Sequence, residues 1–459
     1  MPIIKSEGFT ATERLLADLC ERSFLKLWSW PNPFKDDGHE FCDLLAVFEN
    51  HAFIFFDREK ELVDLSGGNP KVLWSRWKRN VIDAQVKTAH GAERYLRSGR
   101  AIYLDSKREV SFPLNFDLGS LIVHKIIVGH GAVDACRRFS AANVNGSLAI
   151  VYCEDNRDLQ FPFVIGLDRC NPVHVLDSHT LPVLMDHLDT FSDFSRYMDA
   201  KVTAIKSLLT LAYCSEEDLL AHYFLNLDPK SKSHFIRTDD PTVNGVFIEE
   251  GQWTNFVALP HYTETRRLSR ASYLWDELIQ KTAAHRLNGT LGGNADLLRG
   301  RSAIHEMARE PRFMRRELAA KMHEAIGRFP DDPNSITRLV NFMPSYHEGT
   351  AYVFLQLWAP GVTRDEIYRQ KRRYMLEIAC GAAKNSHPNL RNVVGIGIDA
   401  PKLTNRNAED FILMTCDDWP EDRAELYRKQ NETLGIFQSP GMTRVERTVT
   451  EFVLPSKPE

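Results

Sequence analysis

At 459 residues, with 43% apolar and 26% charged positions, the chain has an ordinary globular composition and enough length for two or three separate cores. Its formal net charge of −5 excludes an overall positive field, so any affinity for nucleic acid must come from a local patch. The eight cysteines are scattered and none forms a CxxC pair, which argues against a zinc ribbon or a disulfide framework.

The first segment, "MPIIKSEGFTATE", lacks the apolar core of a signal peptide, and no uninterrupted apolar run approaches the length of a membrane span. A cytoplasmic protein without a membrane partner is therefore expected. Residues 10–27 read as an amphipathic helix, with Leu15, Leu16, Leu19, Cys20 and Phe24 at helical spacing. Thr10 and Glu13 fit a capping box at its start, a role that needs no active site.

"GHEFCDLLAVFENHAFIFFDREK", Gly38 to Lys60, reads as two strands around a tight turn. Both faces of each strand are apolar, so the pair should lie in a sheet covered by helices on each side. A three-residue turn at Glu49, Asn50 and His51 would pair Phe48 with Ala52 and set Asp43 directly across from Asp57. Their Cβ atoms would then be about 5 Å apart, close enough for one divalent cation between the carboxylates. A two-residue turn would instead send the two acids to opposite faces.

A turn-rich loop, "LVDLSGGNP", leads to a long helix over roughly 70–98 and a short strand at 101–105. Strand-like runs follow at 121–128, 147–153 and 172–177, then helices within 183–222. The polar segment 226–245 reads as the main boundary, giving domains at 1–235 and 240–459. The second contains helical patterning over 263–330 and a small αβ unit over 335–459, with strands at 351–358, 392–399 and 410–416 around a helix at 364–384.

The order helix with Glu13, strand with Asp43, strand ending at Asp57, then helix resembles the core of the PD-(D/E)XK, or restriction-endonuclease-like, nuclease superfamily. "ERLLADLCERSFLKLWSWPNPF", "GHEFCDLLAVF", "GAERYL", "PVHVLDSHTLPVLMDHLDTFSDF" and "CSEEDLLAHYFLNL" further resemble a group of uncharacterised bacterial proteins with that arrangement. The resemblance covers residues 10–225, with fainter similarity in "RRYMLEIACGAAK" and "NVVGIGIDAP". It implies an α/β N-terminal domain with an αβββαβ-type core, joined to an α+β C-terminal region. It also implies a hydrolase in which Asp43 and Asp57 hold Mg²⁺ or Mn²⁺, with Glu13 as a third acid.

The chain departs from the superfamily pattern where a lysine should stand two residues after the second acid. Position 59 is Glu, and Arg58 and Lys60 flank it. Arginine neutralises phosphate charge but is almost never deprotonated, so Arg58 is a poor general base. A bulge near Glu59 would be needed to bring Lys60 inward.

In the long helix, Trp77, Val81, Ala84, Thr88, Gly91 and Tyr95 give a stripe for packing on the sheet. A second stripe carries Arg76, Arg79, Lys87, His90, Arg94 and Arg97. It reads either as a solvated basic face or as a track for a phosphate backbone. "HVLDSHTLPVLMDH" gathers His174, Asp177, His179 and His187 at spacings that fit no tight metal pair beyond a His179–His187 face, so structural roles are expected. "AIHEMAR" has Arg309 where a zincin needs its second histidine. "VVGIGID" reads as a buried strand, and "GHGAVDACRRF" as a plain strand-to-helix turn, with an anion at the helix N-terminus as the alternative.

The expected function is thus a divalent-metal-dependent nuclease acting on DNA or RNA phosphodiesters. The alternative is a catalytically inactive nuclease-fold protein that binds nucleic acid or a protein partner in a bacterial multi-protein system.

Overall fold

The computed structural model describes residues 4–62, 69–114, 116–140, 143–154, 161–228, 231–237, 240, 242–287, 294–363, 366–405, 409–438, 443–444 and 449–452. The chain forms two compact units, Ile4–Tyr262 and Thr263–Glu459, each of mixed α/β build. Among the described residues no helix is long and apolar enough to cross a membrane.

In the first unit, α1 (Ala11–Phe24) starts as its sequence predicts. The Thr10 side chain accepts from the Glu13 backbone N–H, and Glu13 Oε2 accepts from Phe9 N at 2.8 Å, so two otherwise orphaned donors are satisfied. The helix buries Leu16, Leu19, Cys20 and Phe24, while Leu15 stays exposed. Nine strands matter to the argument: β1 (Ser29–Pro31), β2 (Leu44–Phe48), β3 (His51–Glu59), β4 (Ile122–His130), β5 (Ala149–Cys153), β6 (Val164–Asp168), β7 (His174–Asp177), β8 (Thr210–Tyr213) and β9 (Gly245–Ile248). The main sheet has the order β1-β2-β3-β4-β7, antiparallel as far as β3 and parallel from β3 to β7. A second sheet has the order β9-β8-β5-β6.

Helices cover both faces of the main sheet, as the apolar strands require. On one face Phe24 of α1 stacks on Phe53 with centroids 5.6 Å apart, and Phe191 and Phe194 of α5 (Phe191–Ser207) lie 5.0 and 4.9 Å from the same ring. On the other face, α2 (Pro70–Lys78) and α3 (Ala84–Arg97) are joined by a π-helical turn at Arg79–Asp83. Gly129 of β4 lies beneath that turn, and a Cβ there would come within 3.0 Å of Ile82 and 3.3 Å of Trp77. Between α3 and α5 in sequence, α4 (Thr180–His187) follows β7; α6 (Glu216–Leu225) follows β8.

Four sequence expectations change at this level. The β2–β3 hairpin closes with two residues, Glu49 and Asn50, pairing Phe48 with His51 and Leu44 with Phe55. Glu49 takes a left-handed backbone, φ 51°, which lets the shorter turn form. The π turn adds one residue to the helical repeat, so the packing stripe after it moves from Ala84, Thr88 and Gly91 to Ala89, Ala92 and Leu96, with Ala84 and Thr88 exposed. Finally, β9 pairs in parallel with β8, drawing residues 245–248 into the first unit. The units therefore divide after Tyr262, beyond the 226–245 segment that reads as a boundary in sequence. The strand expected at 101–105 is only Ile102–Tyr103, pairing with Phe34–Lys35 outside the main sheet.

In the second unit, strands Thr337–Pro344, Thr350–Trp358, Asn392–Asp399 and Glu409–Thr415 form one sheet in chain order, with the middle pair parallel across helix Glu366–Ser386. The glycines of "VVGIGID" serve close packing: a Cβ on Gly395 would lie 2.7–2.9 Å from Ile412, Cys380 and Leu376. Arg372 of that helix is fully buried between Asp399 and Asp410, each 2.7 Å away.

The first unit carries its own buried ion pair. Lys201 Nζ lies 2.6 and 2.7 Å from the Glu216 carboxylate, which also accepts the Tyr197 and Tyr213 hydroxyls at 2.7 Å each. Removing one partner of such a pair leaves an uncompensated buried charge. Lys201→Ala is expected to cost about 3–5 kcal/mol in urea unfolding. The double variant Lys201→Met with Glu216→Gln keeps a partner for both tyrosines, one hydroxyl donating to the amide oxygen and the other accepting from the amide N–H, and should recover most of that loss; no recovery would refute the pairing.

Candidate functional site

The C-terminal ends of three adjacent parallel strands, β3, β4 and β7, meet at Asp57, His130 and the residue after Asp177. Open α/β sheets bind ligands at such strand ends. Period-two alternation turns Asp57 toward α1, where its Oδ1 accepts the Thr12 hydroxyl at 2.5 Å. Its Oδ2 lies 2.8 Å from His130 Nε2, and His130 Nδ1 lies 2.8 Å from Ser178 Oγ. Asp57 and His130 are buried and Ser178 is exposed, so a hydrogen-bonded chain runs from solvent inward to a carboxylate.

Asp43 sits just before β2. The two-residue hairpin places it out of register with Asp57, and the two side chains do not face each other across the strands as expected. Instead, Asp43 Oδ2 accepts the backbone N–H of Asp57 at 2.6 Å. Burial pushes the Asp43 carboxyl up to about 7; the Asp57 N–H opposes this, and the negative fields of Glu40, Glu13 and Asp57 add to it. Glu40 is exposed as a residue; partial desolvation of its carboxyl raises it, which the Asn32 hydrogen bond opposes and the field of Glu13 reinforces. Asn32 Nδ2 bridges the two glutamates, 3.1 Å from Glu13 Oε2 and 2.8 Å from Glu40 Oε1.

Glu13, Glu40, Asp43 and Asp57 therefore gather around Asn32 and Thr12. Among the described residues, no hydrogen bond or ion pair joins a lysine or arginine to Asp43 or Glu40. The expected sharing of one ion by Asp43 and Asp57 alone does not fit, because both Asp57 oxygens already hold partners. Glu13 and Glu40 act on Asp43 through their charge, yet among the described residues these carboxylates do not meet the spacing of a three-ligand metal group, which only His51, His124 and Asp199 do.

Arg58 and Lys60 do not enter the site. β3 pairs regularly with β4 through Glu59, opposite His130, so no bulge turns Lys60 inward, and the side chains of residues 58–60 are exposed. The main chain of Lys60 is occupied by Trp77 Nε1 at 2.7 Å and His130 O at 3.3 Å. Arg76, Arg79, Lys87, Arg94 and Arg97 are all exposed. Arg97 is held by Glu93 at 2.9 Å, and Arg94 joins Lys35 and Arg100 in lining a cavity of about 530 Å³.

Sequence reading missed Glu40, Asn32, His130 and Ser178. Glu40 stands three residues before Asp43, but the strand pattern begins only at Leu44, which left it looking like loop. His130 lay within a stretch read as a plain turn. Its partners are 73 and 48 residues away, and no local pattern reports them. Of the histidines in the 174–187 stretch, His187 lies 2.7 Å from Tyr262 Oη, His174 3.4 Å from His124 and His179 3.6 Å from Glu217.

The raised Asp43 carboxyl has a consequence for stability. The folded state holds a proton that the unfolded chain releases near 3.8, so folding loses stability as pH rises from about 4 through about 7. Asp43→Asn mimics the protonated form and keeps an acceptor for Asp57 N. In chelator it should stabilise the protein at pH 8 by up to about 4 kcal/mol, and the gain should vanish near pH 4. A variant equally or less stable than wild type at pH 8 would contradict this.

No protein-family model, no curated protein and no solved structure matches this chain.

Proposed function

We propose that the first unit is a divalent-cation-dependent hydrolase of nucleic-acid phosphodiesters, built on a restriction-endonuclease-like core. The observation that carries this reading is the mutual negative field of Glu13, Glu40, Asp43 and Asp57 near the strand ends, where among the described residues no lysine or arginine pairs with Asp43 or Glu40. Like charges gathered in a partly buried site repel each other, and a cation removes that cost. Asp43, within the field of Glu13 and Glu40, would hold Mg²⁺ or Mn²⁺, which when bound supplies Lewis-acid stabilisation of phosphoryl charge.

The protein's own residues account for the proton. His130 takes over the base role left open by Glu59. Asp57 accepts from Nε2–H, which presents Nδ1 toward the exposed Ser178 hydroxyl. Water at that position would give its proton to Nδ1, and the carboxylate would stabilise the imidazolium, as in other carboxylate-oriented histidine bases.

A second reading, a silent nucleic-acid-binding protein, draws on the exposed Arg76, Arg79 and Arg94 and on the exclusion of Arg58 and Lys60 from the site. The two readings part in one assay. Wild type, Asp43→Asn and His130→Gln are incubated with plasmid, single-stranded DNA and RNA in Mn²⁺. The hydrolase reading expects metal-dependent cleavage by wild type, lower by about 100-fold or more in each variant. Equal background from all three proteins would reject it. Binding that persists in Asp43→Asn but weakens in the triple Arg76→Glu, Arg79→Glu, Arg94→Glu variant would then favour the silent protein.

A further inference from the structure

Six residues along β3 from Asp57, roughly 20 Å away at strand spacing, a second cluster closes the other end of the same sheet face. His51 opens β3, His124 lies on β4 opposite Phe53, and Asp199 projects from α5. His51 Nε2 is 2.9 Å from Asp199 Oδ2, and His124 Nε2 is 3.1 Å from Asp199 Oδ1. One ligand atom from each residue lies within 4.8 Å of the other two. The two imidazoles are almost parallel, 2° apart with centroids at 5.9 Å, so both Nε2 atoms aim into one space.

Behind His124 stands a third histidine. His124 Nδ1 is 3.4 Å from His174 Nε2, and His174 is 1% exposed with no hydrogen-bond partner for its own Nδ1 among the described residues. Leaving a buried ring nitrogen unpaired costs about 1–3 kcal/mol, which apolar packing at this position would avoid. Its placement makes sense if it orients the ring of His124. With a proton on Nδ1, His124 donates to His174 Nε2 and presents a bare Nε2 lone pair on the opposite side, the tautomer that a metal requires.

We propose that His51, His124 and Asp199 bind a divalent transition-metal ion, zinc first, with His174 as the positioning residue. Two imidazole nitrogens and one carboxylate oxygen suit zinc and its first-row neighbours, whereas magnesium takes an all-oxygen shell. Phe53, 5.2 Å from the His124 ring, walls the inner side. The Asp199 side chain is 41% exposed, so an entry path and at least one coordination position face solvent. Three protein ligands with an open position form the pattern of ligand-exchanging zinc sites rather than closed structural ones. The site is separate from the carboxylates proposed for Mg²⁺ or Mn²⁺ and does not depend on them.

The test uses the full chain, stripped with chelator and titrated with Zn²⁺ or Co²⁺ in excess Mg²⁺. Wild type should take up one equivalent of Zn²⁺, with imidazole scattering in its zinc X-ray absorption spectrum and visible ligand-field bands with Co²⁺. Asp199→Asn and His51→Ala, both at partly exposed positions, should each weaken uptake by at least about 100-fold, beyond the 10–100-fold of an outer-shell change. Asp43→Asn should keep the equivalent. Absence of Zn²⁺ uptake by wild type, a spectrum without imidazole, or wild-type affinity in both ligand variants would overturn the proposal. The spectroscopic readout on wild type needs no variant to fold.

Discussion

The nine-residue parallel ladder between β3 and β4 is the constraint on which the first unit depends. It sets His51 beside Ile122, Phe53 beside His124, Asp57 beside Val128 and Glu59 beside His130. Because strand side chains alternate with period two, this register places His51, Phe53, Phe55 and Asp57 on the face covered by α1 and α5, together with His124 and His130. One buried aromatic layer therefore separates a His–His–Asp cluster at one end from a Ser–His–Asp chain at the other. A slip of one residue would turn both clusters toward α2 and α3, where Gly129 leaves no room for them.

Charge is handled in two ways within the molecule. Lys201 with Glu216, and Arg372 with Asp399 and Asp410, are buried pairs in which opposite charges and hydrogen bonds offset desolvation. The group around Asp43 is different. Its acids are held by neutral donors, Asn32, Thr12 and a backbone N–H, and burial lifts Asp43 far enough to share a proton near neutral pH. Structural ion pairs need no visitor; carboxylates left without a cation invite one. The contrast directs attention to this end of the sheet, whereas in the second unit the buried Arg372 lies between the carboxylates of Asp399 and Asp410.

Much of the fold was legible because it rests on local pattern. The capping residues Thr10 and Glu13, the doubly apolar strands and the helix over 70–97 follow from side-chain spacing and short-range hydrogen bonds. The stripe of α3 was misplaced for a tertiary reason: Trp77, Val81 and Ile82 pack together over Gly129, and the π turn that permits this is invisible to a 3.6-residue period. The hairpin register failed similarly. Two and three turn residues are both compatible with "FENHA", and strands apolar on both faces lack the alternation that would choose between them.

By itself the sequence determined the main element types, the covering of the sheet by helices on both sides, and the placement of Asp43, Asp57 and Glu13 near strand and helix ends. Only the tertiary structure decided what those acids touch. Glu40 and Asn32 come from a loop, His130 and Ser178 from strands far along the chain, and Asp199 from a helix 148 residues beyond His51. Periodicity encodes which way a side chain faces within its own element, but the neighbour it meets is set by strand order and register, and these arise only when the sheet closes its hydrogen bonds.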